Sequence, residues 1–540
     1  MYFHQALARA LSSQGVQHLF GLLGDGNLHF VRSFVDDCGG VFHPSSHEGN
    51  AVMAAHSFGQ LAGGVGVATV THGPALTNTV TALVEGVKGR RATVLIAADT
   101  PPDARQHPQD IDQRAIARAA DVGWEQVTDA AGVPQDLARA MRRAEAERRP
   151  VVLNVPSQLT WLEADYRWSD ANGGQVPAVE PATRDVEAAI EVLAASDRPL
   201  VLVGRGAASD EAKKAAIRLA GLLGAPLATT LLAKDLFEGH HFNLGVHGTL
   251  SHQVALTWFS RVDCIVALGA SLNEWTTDKG SLLEGKDVIH VDLDADAIGR
   301  WHTPRVGIVA DAAATAEAMS ELYAETELGP RAFASPELRD AVAQAEPPHS
   351  GLRVTPPNLD LHEVCDVLNA GLPEDRTVVA DSGRFMLVSL STIMVTRPPN
   401  FVMTIAFGSI GLGMGAAVGA AVAAPDRTTV LLTGDGGFAL SGLAELSHCV
   451  QQGLNLIVVI FNDGAYGAEH VQLRALGLDP SLSLLAPIEF AQVASSMHAQ
   501  GFTVEQLSQL QDALGSARGH SGVSVIDIRL DPDCIDSVGH

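Results

Sequence analysis

This sequence has no Cys-x-x-Cys pair and no excess of basic side chains. Five cysteines are scattered along 540 residues and none belongs to a Cys-x-x-Cys pair, which argues against a zinc site and a disulfide framework. The formal net charge of −26 argues against binding to nucleic acid or to an anionic membrane. The N-terminal stretch has the pattern of an amphipathic helix and not of a secretory signal. We therefore expect a protein of a reducing cytoplasm.

One uncharged stretch, residues 406–424, comes close to the length of a membrane span. It is rich in glycine, and Gly411, Gly415 and Gly419 recur at a spacing that suits close helix packing. It also leads directly into an apolar strand. We therefore expect a buried helix here rather than a membrane span.

The chain is too long for a single hydrophobic core, so we expect three domains. The first and last thirds carry the same order of elements: a helix of small residues, an apolar strand and a glycine-containing loop. The predicted domains are residues 1–165, 184–328 and 359–540, with linkers at 161–183 and 329–358. Each domain is predicted to be α/β, with a mostly parallel sheet flanked by helices.

The clearest functional pattern is a strand, a helix and a second strand in the last third. Residues 430–433 and 456–461 are continuous apolar runs, as expected of buried parallel strands. Gly434-Asp435-Gly436 follows the first run and Asn462-Asp463-Gly464 the second, so both turns would lie at one edge of the sheet, where ligands bind. Their oxygen atoms are ligands that Mg²⁺ prefers, with a phosphate of a cofactor completing the shell. The glycines let backbone amides approach that phosphate.

The first domain has polar loops in comparable places. A predicted strand at 16–21 leads into Gly24-Asp25-Gly26-Asn27, and His47-Glu48 precedes the helix predicted at 51–62. A further strand at 65–71 leads into a loop at 72–78. This domain thus has a glutamate before its helix where the last domain has the predicted metal turn.

Taken together, nearly the whole chain resembles the three-domain enzymes that depend on thiamine diphosphate (ThDP), in the acetolactate synthase and pyruvate decarboxylase group. The resemblance implies a pyrimidine-binding, a central and a diphosphate-binding domain. In this family the second residue of an Asn-Asn pair binds the metal. Asp463 takes that position here, with one residue more than the family pattern inserted within 438–444. Counting from Asp435 favours Asn462 instead, and Asn462 stays a candidate. The implied metal ligands are therefore Asp435 and Asp463, with Asn462 as the alternative, together with Ala465.

The resemblance also implies the residues around the cofactor. Glu48 matches the glutamate that shares a proton with the pyrimidine N1′, and residues 408–411 resemble the segment that holds the aminopyrimidine, with Ile410 bending the cofactor. The implied cofactor-binding residues are Gly73, Asn78, Gly408, Ile410, Gly434, Asp435, Gly436, Gly437, Asp463, Gly464 and Tyr466. The implied catalytic residues are Glu48, Asp25, Glu469, His72 and Gln109.

The implied function is that of a ThDP- and Mg²⁺-dependent 2-oxo acid decarboxylase or carboligase, a lyase or transferase. In this family loss of CO₂ leaves an enamine, which is protonated to an aldehyde or ligated to a second aldehyde or keto carbonyl. Asp25 and the Tyr-x-x-Glu pattern that ends at Glu469 resemble pyruvate decarboxylase, whereas Gln109 resembles the synthases. His72 and His107 are only loose counterparts of the histidine pair of the decarboxylases.

The sequence also allows other functions for the chain and other roles for single residues. The chain could be an acetolactate synthase proper, although residues 269–273 lack the arginine of flavin-binding synthases, which argues against FAD. It could be a non-catalytic relative that binds a nucleotide or assembles as a subunit; intact Glu48 and Asp435 argue against this. Asp25 could cap a helix, Glu469 could be a solvated acid, and His72 could be a loop histidine with its hydrogen bonds satisfied. Gly204-Arg205-Gly206 is weak evidence for a nucleotide because the third glycine of the fingerprint is missing.

The resemblance further implies a partner for the chain, namely itself. In this family the first domain of one subunit meets the last domain of another, with ThDP between them. We therefore expect a homodimer, paired into a homotetramer, with two equivalent sites and a small-molecule 2-oxo acid as the substrate.

Overall fold

The structure is a computed structural model that describes residues 1–104, 106–166, 178–345, 354 and 357–534. Its strands form three six-stranded sheets. All strand pairs that it records in these sheets are parallel. The predicted α/β class with three mostly parallel sheets is therefore confirmed. No helix in these ranges is long and apolar enough to cross a membrane.

The chain divides into two compact units. The first unit comprises Met1–Gln175, Gly351–Ser389 and Asn400–His540, and it contains two of the sheets. The second unit comprises Val176–Ser350 together with Leu390–Pro399. Within the second unit the Lys234 ammonium donates to the Ile393 carbonyl at 2.6 Å, so the short second segment is fastened to the first.

The first sheet lies within residues 18–156. Its strands are β1 (His18–Gly21), β2 (Val41–Pro44), β3 (Gly66–Val70), β4 (Thr93–Asp99), β5 (Gly123–Gln126) and β6 (Pro150–Pro156), in the order β2-β1-β3-β4-β6-β5. The helices are α1 (Phe3–Ser13), α2 (Leu28–Asp36), α3 (Glu48–Ala62), α4 (Pro74–Thr77), α5 (Val80–Lys88), α6 (Gln113–Ala119) and α7 (Val133–Glu147), with a 3₁₀ turn at Ser157–Leu159.

The second sheet lies within residues 199–309. Its strands are β7 (Pro199–Val203), β8 (Leu227–Thr229), β9 (Asn243–Val246), β10 (Cys264–Leu268), β11 (Asp287–Asp292) and β12 (Val306–Val309), in the order β12-β11-β10-β7-β8-β9. The helices are α8 (Thr183–Ala195), α9 (Asp210–Leu223), α10 (Gln253–Phe259), α11 (Glu274–Thr277), α12 (Ala312–Glu325) and α13 (Pro336–Ala343), with 3₁₀ turns at Arg205–Ala207, Leu231–Ala233 and Ser281–Leu283.

The third sheet lies within residues 376–529. Its strands are β13 (Arg376–Ala380), β14 (Phe401–Met403), β15 (Thr428–Gly434), β16 (Leu456–Asn462), β17 (Gln500–Val504) and β18 (Val523–Arg529), in the order β14-β13-β15-β16-β18-β17. The helices are α14 (Leu361–Gly371), α15 (Met386–Thr392), α16 (Gly413–Ala423), α17 (Asp435–Gly437), α18 (Leu443–Gln451), α19 (Gly467–Ala475), α20 (Phe490–Ser496) and α21 (Leu507–Arg518). A π turn at Phe438–Gly442 and 3₁₀ turns at Pro398–Asn400 and Pro480–Ser483 complete the domain.

The helices of small residues α3 and α16 pack directly against each other in the first unit. A methyl group added at Gly415 would lie 2.7 Å from the Cα of Asn50, and one at Gly419 would overlap the carbonyl oxygen of Ala54. Only glycine allows the two backbones to come this close. The packing role predicted for the glycine spacing is therefore confirmed for these two residues.

The helix predicted at 406–424 is wrong in its first part, since α16 begins only at Gly413. Gly408 and Gly411 have φ angles of +81° and +83°, which a right-handed helix does not allow. The backbone N–H groups of Ala406 and Phe407 donate instead to the Glu85 carboxylate, at 3.0 and 2.7 Å. This segment is thus a turn that Glu85 ties to the first domain.

Two predicted loops contain helices. Pro74–Thr77 is a helical turn that begins at proline, the residue best tolerated at the first helical position. In the linker predicted at 329–358, Ser335 caps α13 by accepting from the Leu338 N–H, and Leu338 is fully buried. Residues 167–177 of the first predicted linker, and 346–353 and 355–356 of the second, lie outside the described residues.

Buried His56 in α3 predicts loss of stability in acid. Its Nε2–H donates to the Ala82 carbonyl at 3.0 Å, its Nδ1 bonds the Thr93 hydroxyl at 2.7 Å, and burial lowers its pKa to about 3. The unfolded chain protonates this residue near its usual pKa of 6.5, so the stabilising effect is complete above that pH and is lost as the pH falls. We expect a loss of roughly 2 kcal/mol at about pH 5.

The measurement is the thermal unfolding midpoint from about pH 8 to pH 5. His56→Gln should lower the midpoint throughout but flatten its dependence on pH. His241→Gln, which changes an exposed histidine, is the control and should keep the wild-type dependence. Parallel curves for the wild type and His56→Gln would contradict the prediction.

Candidate active site

The predicted metal turn lies at the edge where β15 and β16 end. These strands are direct neighbours, with Gly434 opposite Phe461, so Asp435 and Asp463 emerge side by side. Asp435 is only 5% exposed, and burial, followed by the negative charge of Asp463, raises its pKa to about 7. Two carboxylates in a poorly hydrated place repel each other, and a divalent cation between them would relieve this repulsion.

Asn462 and Asp463 have different surroundings. The Asn462 amide donates to the Asp527 carboxylate at 2.8 Å, inside the sheet. Asp463 accepts from the Ala465 N–H at 3.2 Å and from the Arg384 guanidinium at 3.2 Å. Asp463 is the neighbour whose charge acts on Asp435. Ala465 is 4% exposed in the same turn.

A π turn lies between the two halves of this motif. It occupies Phe438–Gly442, between α17 and α18, and so lies within the stretch where the extra residue is predicted. One additional residue in a helix widens one turn to the π form without moving the flanking elements. A helix can accommodate an additional residue in this way, so the π turn agrees with the predicted insertion.

A cleft with a volume of about 200 Å³ opens beside this turn. Its lining includes Asp435, Asp463 and the segment from Leu485 to Ile488. Tyr466 lies next to Gly436, where an added methyl group would be 3.0 Å from the tyrosine ring. Gly436 thus lets the ring cover the turn.

Glu469 lies in the first turn of α19 and is exposed. The alternative interpretation, a solvated acid, agrees with that exposure in a single chain. A catalytic role for Glu469 requires another part of the protein, or a second copy of it, to enclose this side chain.

The first domain brings Asp25, His72 and His107 together. Their ligand atoms lie within 4.8 Å of one another, and the two imidazole rings have centroids 5.1 Å apart. The Nε2 of His72 is 3.7 Å from the Asp25 carboxylate, while its buried Nδ1 has no hydrogen-bond partner among the described residues. The sequence predicts the two histidines only as loose counterparts of a pair, whereas the fold makes them neighbours.

The capping role considered for Asp25 is wrong. Helix α2 has Asn27 at its N-cap, and Asp25 instead accepts a hydrogen bond from the Thr71 hydroxyl at 3.0 Å. The alternative for His72, a loop histidine with its hydrogen bonds satisfied, does not fit its buried Nδ1, which has no partner among the described residues. Gln109 approaches the same place: its carbonyl lies so close to Gly73, at a φ of +62°, that no side chain fits there.

Glu48 is the first residue of α3. His47 caps the helix by accepting from the Gly49 N–H at 3.0 Å, and the Glu48 carboxylate accepts from the Asn78 amide at 2.9 Å. The side chain is 7% exposed. The carboxyl group is therefore held in a defined position at the helix N-terminus, next to the loop that follows β3.

Comparison with protein-family models gives three matches in chain order. Residues 1–116 match "Thiamine pyrophosphate enzyme, N-terminal TPP binding domain", 186–319 match the central domain and 381–528 match the C-terminal TPP binding domain. The chain belongs to the thiamine pyrophosphate enzymes. This confirms the family implied by the sequence motifs, and thiamine pyrophosphate is the ThDP named above.

Several curated relatives are similar to this chain over nearly its full length and over nearly all of their own. Acetolactate synthase of Arthrospira platensis is 27% identical, covering 99% of this chain and 96% of the relative. A probable 2-ketoarginine decarboxylase of Pseudomonas aeruginosa is 25% identical, covering 97% and 93%. Sulfoacetaldehyde acetyltransferase of Castellaniella defragrans is 26% identical, covering 95% and 90%. The chain is thus a ThDP-dependent enzyme of the 2-oxo acid decarboxylase and carboligase group.

The residues of the last domain fit the cofactor of this family. Two buried carboxylates at one turn suit a divalent cation. The buried Arg384 beside them keeps Nε and Nη1 without hydrogen-bond partners in the described structure. A diphosphate bound with its metal would supply what both groups need: a cation for the carboxylates and anionic oxygens for the guanidinium.

Sequence reasoning missed three buried acids of this ThDP enzyme. Glu445 in α18 accepts from the Ser46 N–H at 2.9 Å and the Asn50 amide at 3.0 Å, on either side of Glu48. Asp381 accepts from the Gly411 N–H at 3.1 Å, and burial raises its pKa to about 6. Glu85 fastens the turn before Gly408, as described above. Each acid positions a predicted cofactor segment.

The only sequence signal for these residues is an acid within an apolar context. Glu445 lies in the run Leu443-Ala-Glu-Leu446, and Asp381 follows the buried strand β13. Their partners are far away in the chain; Ser46 and Glu445 are separated by 399 residues. Local periodicity carries no information about such pairs.

Proposed function

We propose that this ThDP enzyme decarboxylates a 2-oxo acid and completes the reaction chiefly by protonation, which releases an aldehyde. The observation that supports this proposal is the cluster of Asp25, His72 and His107 at the edge of the first sheet. A carboxylate next to two imidazoles can take up a proton from water and deliver it to a reacting carbon. A pure carboligase has no need of such a donor.

In this proposal Asp435 and Asp463 bind Mg²⁺, with Ala465 in the same turn and Asn462 as the weaker alternative. The backbone of Gly434, Gly436, Gly437 and Gly464 approaches the diphosphate, and Tyr466 covers it. When bound, ThDP supplies the electron sink that stabilises the carbanion left after loss of CO₂.

The remaining residues act on the pyrimidine and on the substrate. Glu48 shares a proton with N1′ of the pyrimidine, and Asn78 holds the Glu48 carboxylate in place. Gly408 and Ile410 form the turn that receives the ring, fixed by Glu85 and Asp381. His72 exchanges a proton with Asp25 on its Nε2 side, which leaves Nδ1 available to the substrate side.

The second candidate is a carboligase of the acetolactate synthase type. Gln109, whose backbone closely approaches Gly73 next to His72 of this cluster, favours it. The names of the relatives, which include acetolactate synthases and an acetyltransferase, point in the same direction. The two candidates share every step up to the loss of CO₂.

The experiment is a screen of 2-oxo acids with the purified protein, ThDP and Mg²⁺, with and without aldehyde or keto acceptors. CO₂ and the carbon products are followed together. We expect CO₂ and the aldehyde in equal amounts without an acceptor. CO₂ release that depends on the acceptor, with only the ligated product formed, would favour the carboligase instead.

We further propose that the site is shared between two copies of the chain. Ser46 and Asn50, beside Glu48, bond to Ser441, Ala444 and Glu445 of the same chain, six to ten residues beyond Asp435. That is about 9–15 Å along the helical run, so Glu48 approaches the end remote from the metal turn. Exposed apolar side chains lie in both domains, including Leu23 at 54% in the first and Leu440 at 66% in the last, and suit a partner surface.

Mixing two inactive variants tests the shared site. Glu48→Gln and Asp435→Ala are combined under conditions that exchange subunits. In a shared site, one site of each mixed dimer carries both defects and the other carries none, so partial activity should return. Proven exchange without recovery would reject this arrangement. The homotetramer and the cytoplasmic location stay predictions.

A further inference from the structure

Arg384 is a buried charged side chain in contact with the metal turn that neither the motifs nor the proposed mechanism uses. It follows β13, the direct neighbour of β15 in the sheet, at the edge where Asp435 emerges. Its side chain is 6% exposed. Three adjacent strands, β13, β15 and β16, thus bring Arg384, Asp435 and Asp463 to one place.

The hydrogen bonds of Arg384 are incomplete. Its Nη2 donates to the Asp463 carboxylate at 3.2 Å and to the Pro532 carbonyl at 2.8 Å. Its Nε and Nη1 are buried without a partner among the described residues. Arginine cannot lose its charge in a protein, and a buried N–H of a charged group without an acceptor is costly. The side chain is therefore prepared for an anionic acceptor that the described residues do not supply.

A diphosphate bound at this site would need a positive charge in addition to that of Mg²⁺. The double positive charge of Mg²⁺ would be matched by the carboxylates of Asp435 and Asp463, which leaves the negative charge of a bound diphosphate uncompensated. A guanidinium in contact with Asp463 adds a positive charge at this point. Guanidinium N–H groups also match phosphate oxygens in geometry better than an ammonium group does.

Gly467 keeps the space around this guanidinium clear. It is the first residue of α19, and a methyl group there would lie 2.6 Å from the Asp463 Oδ2 and 3.1 Å from the Arg384 Nε. A side chain would displace the carboxylate and press on the unpartnered Nε. Glycine allows Arg384 and Asp463 to stay in contact while Nε remains open to a ligand.

We propose that Arg384 binds the diphosphate of ThDP directly, through Nε and Nη1, while its Nη2 orients Asp463 toward the metal. This inference rests on the proposed cofactor site. An arginine that served only as the ion-pair partner of Asp463 would not leave two buried nitrogen atoms unpaired.

The test compares cofactor affinities by calorimetry at saturating Mg²⁺ for the wild type, Arg384→Met and Arg384→Gln. Both variants remove the charge, and we expect each to bind ThDP about ten to a hundred times more weakly. Two variants are used so that one remains if the other does not fold. Arg427→Met is the matched control, because Arg427 pairs with Asp375 at 2.7 Å at the opposite edge of the same sheet.

The same titrations with thiamine monophosphate and thiamine identify the part of the cofactor that is recognised. The difference between wild type and variant should shrink with each phosphate removed and vanish for thiamine. An equal loss for thiamine, or a variant with wild-type ThDP affinity, would overturn the role of Arg384. So would an increase in the KM of the 2-oxo acid at unchanged ThDP affinity, since Arg384 would then bind the substrate carboxylate.

The same titrations distinguish a failure of the proposed cofactor site from a failure of the role of Arg384 alone. If the wild type itself does not bind ThDP in the presence of Mg²⁺, the proposed site is wrong and the Arg384 inference fails with it. If the wild type binds ThDP and the variants bind it equally well, only the Arg384 inference fails.

Discussion

Asp435→Ala should abolish Mg²⁺-dependent binding of ThDP. The change removes one of the two carboxylates proposed to hold the cation, and the diphosphate then meets Asp463 without a complete metal shell. We expect the affinity to fall by more than about a hundredfold, or ~3 kcal/mol. Calorimetric titration of ThDP with Mg²⁺, and with a chelator in its place, measures the loss.

Asp435→Asn separates charge from shape in this experiment. The amide keeps the size of the side chain and one oxygen ligand, so we expect a loss smaller than that of alanine but still severe. Asp512→Ala removes an exposed acid from α21 of the same domain and should bind ThDP as the wild type does. Unchanged affinity in Asp435→Ala would refute the metal site.

Parallel titrations of Asp463→Ala and Asn462→Ala identify the second ligand. Asp463→Ala should weaken the binding of Mg²⁺ and ThDP almost as strongly as Asp435→Ala. Asn462→Ala should mainly lower the thermal midpoint, because it leaves the buried Asp527 without its 2.8 Å amide donor. The reverse result would make Asn462 the ligand.

Glu48→Gln should leave the fold and the affinity for ThDP nearly unchanged but remove most of the activity. Glutamine still accepts the hydrogen bond from Asn78, so the N-terminus of α3 is undisturbed. It cannot share a proton with N1′, and loss of a positioned proton-transfer group costs about a hundredfold to ten-thousandfold in rate. The measurement is CO₂ release from the best substrate of the screen, next to calorimetry and a thermal melt.

Glu48→Asp provides the matched comparison. It keeps the acid but shortens the side chain by one methylene, so activity between those of the glutamine variant and the wild type is expected. Wild-type turnover in Glu48→Gln would end the assignment of this residue. A large loss of ThDP affinity in that variant would assign Glu48 to binding instead of proton transfer.

Part of this molecule follows from local sequence. Strands β15 and β16 extend the predicted strands at 430–433 and 456–461 by at most two residues at either end. Strands covered on both faces are continuous apolar segments, and such segments are visible without any knowledge of their neighbours. The order of two glycine turns after two adjacent strands therefore predicted the place of Asp435 and Asp463.

Other features depend on residues that are remote in the chain. The turn before α16 was predicted as helix because its composition is apolar, but Glu85 takes up its N–H groups, 321 residues away from Ala406. The pairing of His72 with His107 likewise depends on the loop after β4 returning beside the loop after β3. No local pattern encodes these contacts.

Sequence alone thus determined the family, the α/β class and the carboxylate turn, since these follow from motifs and from the periodicity of single segments. The tertiary structure decided which of these groups have partners. It joined Asp25 to two histidines, set Glu445 beside the Glu48 loop and left two nitrogen atoms of Arg384 without acceptors in the part of the chain that is described. The physical reason is that hydrogen bonding and charge compensation depend on distances across the fold, which the order of residues along one segment does not contain.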